Sequence, residues 1–166
     1  MGRRQRIPQC GGADAEMWIM EDVPAAAALI APTMITEPNL FLAGLSMGGY
    51  GALRLGAKYA PRRVSGISIH SSITHVSQMI DFAEEPLWDY LAAAPEQELD
   101  PLHWIMHNRD LLPPLRIDCG TDDRLIAWNG ALHEVLAWAG IEHQYPEYEG
   151  GHNWSYWEAH IVADSL

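Results

Sequence analysis

A serine flanked by glycines occurs in the pattern Gly-x-Ser-x-Gly, over the segment GLSMG (44–48). In this pattern a sharp strand-to-helix turn raises the hydroxyl of Ser46 above a sheet, where it can attack the carbonyl carbon of an ester. The turn strains the serine backbone, so we expect Gly44 and Gly48 to be needed because they lack bulky side chains. Glycine-rich turns also produce the pattern by chance, and the surrounding elements therefore decide its meaning.

A serine hydroxyl near neutral pH needs a general base, and the base needs a carboxylate to orient it. Both residue types follow Ser46 along the chain: two aspartates in the segment GTDD (120–123) and a histidine, His152, in the segment GGHNW (150–154). The predicted chemistry is acyl transfer, in which His152 takes the serine proton and returns it to the leaving group. Either aspartate fits the role of the orienting carboxylate, since both follow the same predicted strand.

Each of these motifs directly follows a segment whose pattern predicts a buried β-strand. The serine follows Asn39–Leu45, a continuous apolar run typical of a strand buried on both faces, and precedes Met47–Tyr59, which has helical spacing and ends before Pro61. The aspartates follow Leu115–Cys119, and the histidine follows Glu142–Tyr148. Because the carboxyl ends of parallel strands meet at one edge of a sheet, the three motifs are expected to converge there.

The whole pattern alternates strands with helices, which predicts an α/β fold of the α/β-hydrolase type, a parallel sheet with helices on both faces. Residues 1–16 are predicted to be a loose leader and residues 17–166 the catalytic portion. Residues 77–112 are interrupted by prolines and predict a helical insertion near the pocket. The other predicted elements are a helix restarted at Pro24, a strand and two further helices, at Met17–Ile30, Val64–His70, Trp128–Ala139 and Trp154–Ala163.

Composition argues against several other classes of protein. Lys and Arg total 10 against 22 for Asp and Glu, and the formal net charge of −12 disfavours nucleic-acid binding. No apolar run reaches the ~18 residues that a membrane-spanning helix needs. The two cysteines, Cys10 and Cys119, form neither a disulfide framework nor a metal-binding spacing, so a reducing compartment and a cytoplasmic location are expected.

The three motifs in this order resemble those of a known enzyme family. The segments GLSMGGYGA around Ser46, CGTDD, and GGHNWSYW around His152 are similar to those of the esterase family that includes S-formylglutathione hydrolase, acetyl and feruloyl esterases and mycolyltransferases. The resemblance covers the chain from about Met17 onward. It implies a serine carboxylic-ester hydrolase without metal or organic cofactor, whose catalytic triad is Ser46, His152 and Asp123 rather than Asp122.

The resemblance also implies a larger mixed sheet than the predicted strands supply. The early strands of the family, and the loop that gives its second oxyanion N–H, have no counterpart among them. The chain is therefore interpreted as an N-terminally truncated hydrolase: a truncated gene product, a fragment or half of an assembly. Since the strand before Ser46 then lacks a neighbour, its unpaired edge is expected to favour a homo-oligomer.

Further residues are assigned by their position beside the motifs. The backbone N–H of Met47 is predicted to donate to the oxyanion of the tetrahedral intermediate. Trp154 and His70 are predicted to contact the substrate, and a hydrogen-bonded strand end is the alternative for His70. His103 and His107 are four residues apart but lack the HExxH pattern of a zinc site, so no metal is expected.

We therefore expect hydrolysis of a small-molecule carboxylic ester or thioester through an acyl-enzyme. Two alternatives stay open. One is an acyltransferase on the same scaffold, in which an alcohol outcompetes water. The other is a catalytically inactive fragment that serves as a binding or assembly module. No nucleic-acid partner and no membrane are expected.

Overall fold

Four parallel strands form one sheet in the computed structural model, which describes residues 12–31, 40–82 and 95–161. The strands are β1 (Leu40–Leu45), β2 (Val64–His70), β3 (Leu115–Gly120) and β4 (Glu147–Tyr148). They lie in the order β1-β2-β3-β4, and each neighbouring pair is parallel. The predicted α/β fold with a parallel sheet is therefore confirmed.

Helices connect and cover these strands. Those described are α1 (Gly12–Met17), α2 (Val23–Ile30), α3 (Met47–Tyr59), α4 (Glu96–Leu99), α5 (Pro101–His107), α6 (Ile126–Trp138) and α7 (Trp154–Ile161). A π-helical turn (Trp18–Asp22) joins α1 to α2, and short 3₁₀ helices span Val76–Asp81 and Arg109–Leu111. Within the described ranges, no helix combines the length and the apolar character needed to cross a membrane.

The first helix begins inside the segment that was predicted to be a loose leader. Glu16, in α1, forms ion pairs with Arg54 Nη2 (2.9 Å) and Lys58 Nζ (2.8 Å) of α3. These contacts, made by a side chain that is largely shielded from solvent, hold α1 against α3. The leader boundary at residue 16 is therefore wrong for residues 12–16, and residues 1–11 lie outside the described part of the chain.

The main apolar core lies between the sheet and the helices α3, α5 and α6. Ile67 and Ile69 of β2 and Ile117 of β3 are fully buried, as are Leu53 of α3 and Leu136 of α6. Alternate residues of each strand reach this layer because successive side chains point to opposite faces of a sheet. Truncating one such side chain to alanine typically lowers the free energy of unfolding by about 2–5 kcal/mol. Packing in this layer therefore holds the strands in place, and with them the strand ends at which the motifs lie.

β1 is not buried on both faces, contrary to the prediction. Phe41 is 63% exposed and Ala43 is also exposed, whereas Leu40 and Leu42 pack against the core. The physical reason is the alternation of side chains: Leu40 and Leu42 point to the core face, whereas Phe41 and Ala43 point to the opposite face, which the described residues leave exposed. Among the described residues β1 is also an edge strand that pairs with β2 alone. A continuous apolar run therefore marked a strand, but not one that is covered on both sides.

β4 is much shorter than the predicted strand Glu142–Tyr148. Only Glu147–Tyr148 pair with β3, and Gln144 adds an isolated bridge to Arg116. Pro146 lies between these two contacts, and a proline has no N–H to donate to a strand ladder. The pairing is therefore interrupted at this residue.

The insertion over residues 77–112 is helical where it is described, and residues 83–94 lie outside the described ranges. Ile105 of α5 enters the main core beneath α3 rather than covering the sheet edge. Met79 and Leu99 instead join a second apolar cluster with Tyr50 and Leu125. This second cluster lies beside the turns that carry Ser46 and Asp123, which places part of the insertion near the motifs.

Candidate active site

Ser46 occupies the turn between β1 and α3 in a backbone conformation that few non-glycine residues adopt. Its φ is 53° and its ψ is −121°, a strained combination expected of a serine on a nucleophile elbow. The Ser46 carbonyl accepts hydrogen bonds from the N–H groups of Tyr50 (3.2 Å) and Ile73 (3.2 Å), and its own N–H donates to the His70 carbonyl (3.0 Å). These bonds hold the strained turn.

The same turn requires glycine at one flanking position and not at the other. A Cβ atom at Gly44 would overlap the backbone carbonyl of Gly48. A Cβ atom at Gly48 would meet no atom within 4 Å, so the prediction that this residue must be small to avoid a clash is wrong. The tight contact joins the α-carbon of Gly44 to the backbone of Gly48.

This asymmetry leads to a stability prediction. Gly44→Ala is expected to destabilise the fold by about 2–3 kcal/mol, or roughly 5–10 °C in Tm, because backbone must move to admit the methyl group. The matched control, Gly48→Ala, is expected to leave Tm unchanged or slightly higher, since alanine favours the helix. Thermal unfolding followed by circular dichroism measures both. Equal Tm values for the two variants would contradict this account of the turn.

Three side chains from separate loops form a hydrogen-bonded line at the carboxyl edge of the sheet. His152 Nε2 lies 3.0 Å from Ser46 Oγ. On the other side of the ring, His152 Nδ1 lies 2.9 Å from Asp123 Oδ2 and 3.2 Å from Oδ1. Because an ionised carboxylate only accepts hydrogen bonds, Nδ1 carries the proton, and neutral Nε2 is free to accept from the serine hydroxyl.

Asp123, and not Asp122, contributes this carboxylate. The Asp123 side chain is fully shielded from solvent, and its Oδ1 also accepts the N–H of Leu125 (2.8 Å). Asp122 is exposed. Asp122 and Asp123 therefore differ both in their exposure to solvent and in the contacts of their side chains. Their shared position after β3 does not reveal this difference.

The loops after β3 and β4 are joined to one another by their backbones. The Asp122 N–H donates to the Gly150 carbonyl (2.9 Å), and the Thr121 N–H donates to the Tyr148 carbonyl (2.8 Å). A Cβ atom at Gly120 would overlap the Gly150 carbonyl, so only glycine admits this close approach. These contacts fix the spacing between the carboxylate loop and the histidine loop.

Met47 lies at the first position of α3, directly after Ser46. The first N–H groups of a helix have no acceptor within the helix and carry its partial positive charge. The Met47 N–H is therefore suited to bind a developing oxyanion, and this role stays a prediction.

Trp157, rather than Trp154, contacts the imidazole of His152. The Trp157 ring meets the His152 ring edge to face, with centroids 5.0 Å apart, and Trp157 is buried. Trp154 is 66% exposed and packs on Trp157, with centroids 5.4 Å apart. A substrate contact by Trp154 stays a prediction. The Trp157 ring that packs on the histidine was missed because it lies three positions further along the helix.

His70 is a buried, hydrogen-bonded strand end, which is the alternative that its sequence left open. Its Nδ1 lies 2.6 Å from Asp118 Oδ2, and its Nε2 lies 3.2 Å from Ser68 Oγ. Both ring nitrogens are therefore engaged within the protein, and the side chain is only 5% exposed. This geometry argues against the predicted substrate contact.

Three further residues near the site were not identified from the sequence, and one of them contacts the histidine. The Phe82 ring tilts against His152 with centroids 5.5 Å apart, and the guanidinium of Arg124 lies 3.6 Å from the Phe82 ring centroid. Phe82 lies in a proline-broken segment without a motif, so only folding reveals it. Asn129 was also missed: fully buried, it donates from Nδ2 to the carbonyls of Ser72 (2.9 Å) and Leu125 (2.9 Å).

The other histidine and cysteine residues singled out from the sequence, where the structure describes them, do not have the surroundings of a metal site or of a reactive thiol. Among the described residues, no three His, Cys, Asp or Glu side chains form a cluster suited to a metal ion. The rings of His103 and His107 stack on each other at 6.1 Å. Cys119 is fully buried, so it is a small core residue, and burial raises the pKa of its thiol to about 12, unlike that of a reactive cysteine. Cys10 lies outside the described residues.

The family described as "Putative esterase" matches residues 26–166. An acetyl esterase from Caldicellulosiruptor saccharolyticus is 29% identical over 148 residues, which cover 80% of this chain and 55% of that protein. The match with this relative therefore spans little more than half of its length.

Solved structures share the fold. The S-formylglutathione hydrolase FrmB from Staphylococcus aureus superposes with a TM-score of 0.74 at 23% identity, covering 84% of this chain and 58% of that one. A capsule O-acetyltransferase from Neisseria meningitidis serogroup A gives a TM-score of 0.55 at 21% identity, covering 81% of this chain and 56% of that one.

Proposed function

The chain belongs to the esterase family, and we propose that it hydrolyses small carboxylic esters or thioesters by acyl transfer through Ser46. The observation that carries the proposal is the line from Ser46 Oγ through the His152 ring to the Asp123 carboxylate, with heavy-atom distances of 3.0 Å and 2.9 Å. This arrangement supplies a nucleophile, a general base and an orienting carboxylate in contact with one another.

In the first half of the reaction, Ser46 Oγ attacks the carbonyl carbon of the ester while His152 Nε2 takes the hydroxyl proton. The carbonyl oxygen becomes an oxyanion that accepts a hydrogen bond from the Met47 N–H. The tetrahedral intermediate collapses as the protonated His152 gives its proton to the leaving alcohol or thiol. General-base help of this kind is worth about 10²–10⁴ in rate, and one oxyanion donor about 10²–10³.

In the second half, water attacks the acyl-enzyme with the same imidazole as base. Its oxygen bonds to the acyl carbon while its proton passes to His152, and the acid is released as the proton returns to Ser46. Asp123 acts throughout by holding the Nδ1 proton and stabilising the imidazolium that forms twice in the cycle. Its burial strengthens this interaction, since a charge pair away from water is screened less.

An acetyl group is the acyl group that we propose first. The acetyl esterase from Caldicellulosiruptor saccharolyticus is named for an acetyl group, and its match covers 80% of this chain. The aromatic rings of Phe82 and Trp157 flank the His152 imidazole, which leaves an apolar surrounding suited to a small acyl group. Acetate esters are therefore the substrates to test.

Product analysis tests the reaction class. With para-nitrophenyl acetate, the chain is expected to release nitrophenolate and acetate in equal amounts, with or without added glucose as an alcohol acceptor. Acetylglucose formed at the expense of acetate would identify an acyltransferase instead. Absence of nitrophenolate release above the uncatalysed rate would favour the inactive binding or assembly module.

A further inference from the structure

A buried polar cluster that the proposed reaction does not use lies next to the site. Asp118 of β3 is fully buried, and its Oδ2 lies 2.6 Å from His70 Nδ1 and 3.4 Å from Arg116 Nη2. Its other oxygen, Oδ1, accepts the hydroxyl of Tyr156 (3.0 Å). Each carboxylate oxygen therefore has a partner on a different part of the fold: Oδ2 on strands β2 and β3, and Oδ1 on helix α7.

The strand side of this cluster reaches the serine. The His70 carbonyl accepts the N–H of Ser46 (3.0 Å), and the Asp118 carbonyl accepts the N–H of Ser71 (2.8 Å), the next residue after His70. The end of β2 is thus bonded both to the nucleophile turn and to β3. A shift of Asp118 would be passed to the turn through this strand end.

The helix side of the cluster reaches the histidine. Tyr156 lies four residues after His152, in the first turn of α7, and its N–H donates to Asn153 Oδ1 (3.1 Å). Its ring packs so closely on Gly150 that a Cβ atom there would lie 2.9 Å from Tyr156 Cδ2. The ring of Tyr156 therefore supports the loop that presents His152.

The Tyr156 hydroxyl is well suited to this anchoring. Tyr156 is only 3% exposed, and burial, followed by the nearby charge of Asp118, raises the pKa of its phenol. The hydroxyl therefore stays protonated and donates. A hydrogen bond from a neutral hydroxyl to a buried carboxylate is stronger than one between neutral groups.

We propose that Asp118 and Tyr156 are positioning residues that hold the His152 loop at hydrogen-bond distance from Ser46. The expected effect on turnover rests on the proposed esterase function, whereas the effect on the placement of His152 does not. Loss of the Tyr156 hydroxyl lets the loop shift by a fraction of an ångström, and reacting groups are sensitive to displacements on that scale.

Tyr156→Phe removes this hydroxyl and keeps the ring that packs on Gly150. We expect kcat for para-nitrophenyl acetate to fall by about 10-fold with KM nearly unchanged. The matched control is Tyr59→Phe, which deletes a hydroxyl that donates to Glu16 Oε1 (2.8 Å) on α1, among residues that form none of the site contacts. This control is expected to keep the parent kcat.

The proton on His152 Nδ1 gives a readout that does not depend on turnover. Hydrogen-bonded to Asp123, it should give a downfield proton resonance, assigned by its loss in His152→Gln. Tyr156→Phe is expected to move or broaden this resonance, and Tyr59→Phe to leave it in place. An unmoved resonance in Tyr156→Phe, or equal changes in both variants, would overturn the proposal. If the resonance moves in Tyr156→Phe but the parent chain hydrolyses no ester, the esterase function alone would be refuted.

Discussion

Ser46→Ala is expected to lower kcat for para-nitrophenyl acetate by about 10⁴-fold or more, with little change in KM. In the proposed reaction the Ser46 hydroxyl oxygen forms the bond to the acyl group, and alanine has no atom that can form this bond. A serine and an alanine are strained to a similar extent at the φ of 53° found at this position. The variant is therefore expected to fold with the Tm of the parent. Steady-state kinetics and thermal unfolding together measure the effect.

Ser77 provides a matched control for this substitution. Its Oγ lies 2.8 Å from His75 Nδ1, so it also forms a serine–histidine pair, but on an exposed turn outside the three convergent loops. Ser77→Ala is expected to keep kcat within about twofold of the parent, as surface substitutions usually do. If Ser46→Ala turned over like the parent while Ser77→Ala lost activity, the nucleophile would have to be reassigned.

The second large effect is expected at the carboxylate. Asp123→Asn should lower kcat by about 10³–10⁴-fold, because an amide at this position can donate to Nδ1 and so favour the wrong imidazole tautomer. Asp122→Asn removes the same charge one residue earlier, on an exposed side chain. It is expected to change kcat by no more than about twofold.

The pair of aspartate variants separates a local charge effect from a geometric one. Both lower the negative charge of the loop after β3, but only Asp123 contacts the histidine. Comparable losses in the two variants would mean that charge, and not orientation of the ring, is what matters. A larger loss in Asp122→Asn would contradict the assignment of Asp123.

The elements that carry the motifs could be predicted because their signals are local. The run before Ser46, the glycine pattern and the helical spacing of Met47–Tyr59 are each read within a few residues, and helix α3 has the predicted bounds. The exposure of Phe41 could not be predicted in this way, since it depends on which elements cover β1. The interruption of pairing at Pro146 could have been anticipated, because a proline cannot donate to a ladder.

Of the three residues in the hydrogen-bonded line, the motifs alone indicate Ser46 and His152, the family resemblance was needed to choose Asp123, and the residues that support the line could not be predicted. Ser46 and His152 lie in glycine-rich motifs, and these motifs indicate a catalytic role without knowledge of the fold. Trp157 and Phe82 contact the imidazole only after a helix and an insertion have folded back on it. Asp118 is the one aspartate of β3, and its contacts with His70 and Tyr156 depend on strand pairing and helix packing that the sequence does not show.

Self-association through β1 stays a prediction that follows from its edge position. The exposed Phe41 side chain lies on this strand, and an edge with unpaired backbone groups can pair with another chain. A strand added beside β1 would lie next to the Ser46 turn, so self-association could change the kinetic parameters. The oligomeric state should therefore be measured on the samples used for kinetics.

Labelling with a fluorophosphonate is a direct test of whether Ser46 is a nucleophile activated by His152. If Ser46 is a nucleophile activated by His152, its oxygen attacks phosphorus, fluoride leaves, and the proton passes to the imidazole. We expect one phosphonyl group per chain, located by peptide mass spectrometry on Ser46 and absent after His152→Ala. A parent chain that stays unlabelled, or carries the group on another residue, would contradict the claim.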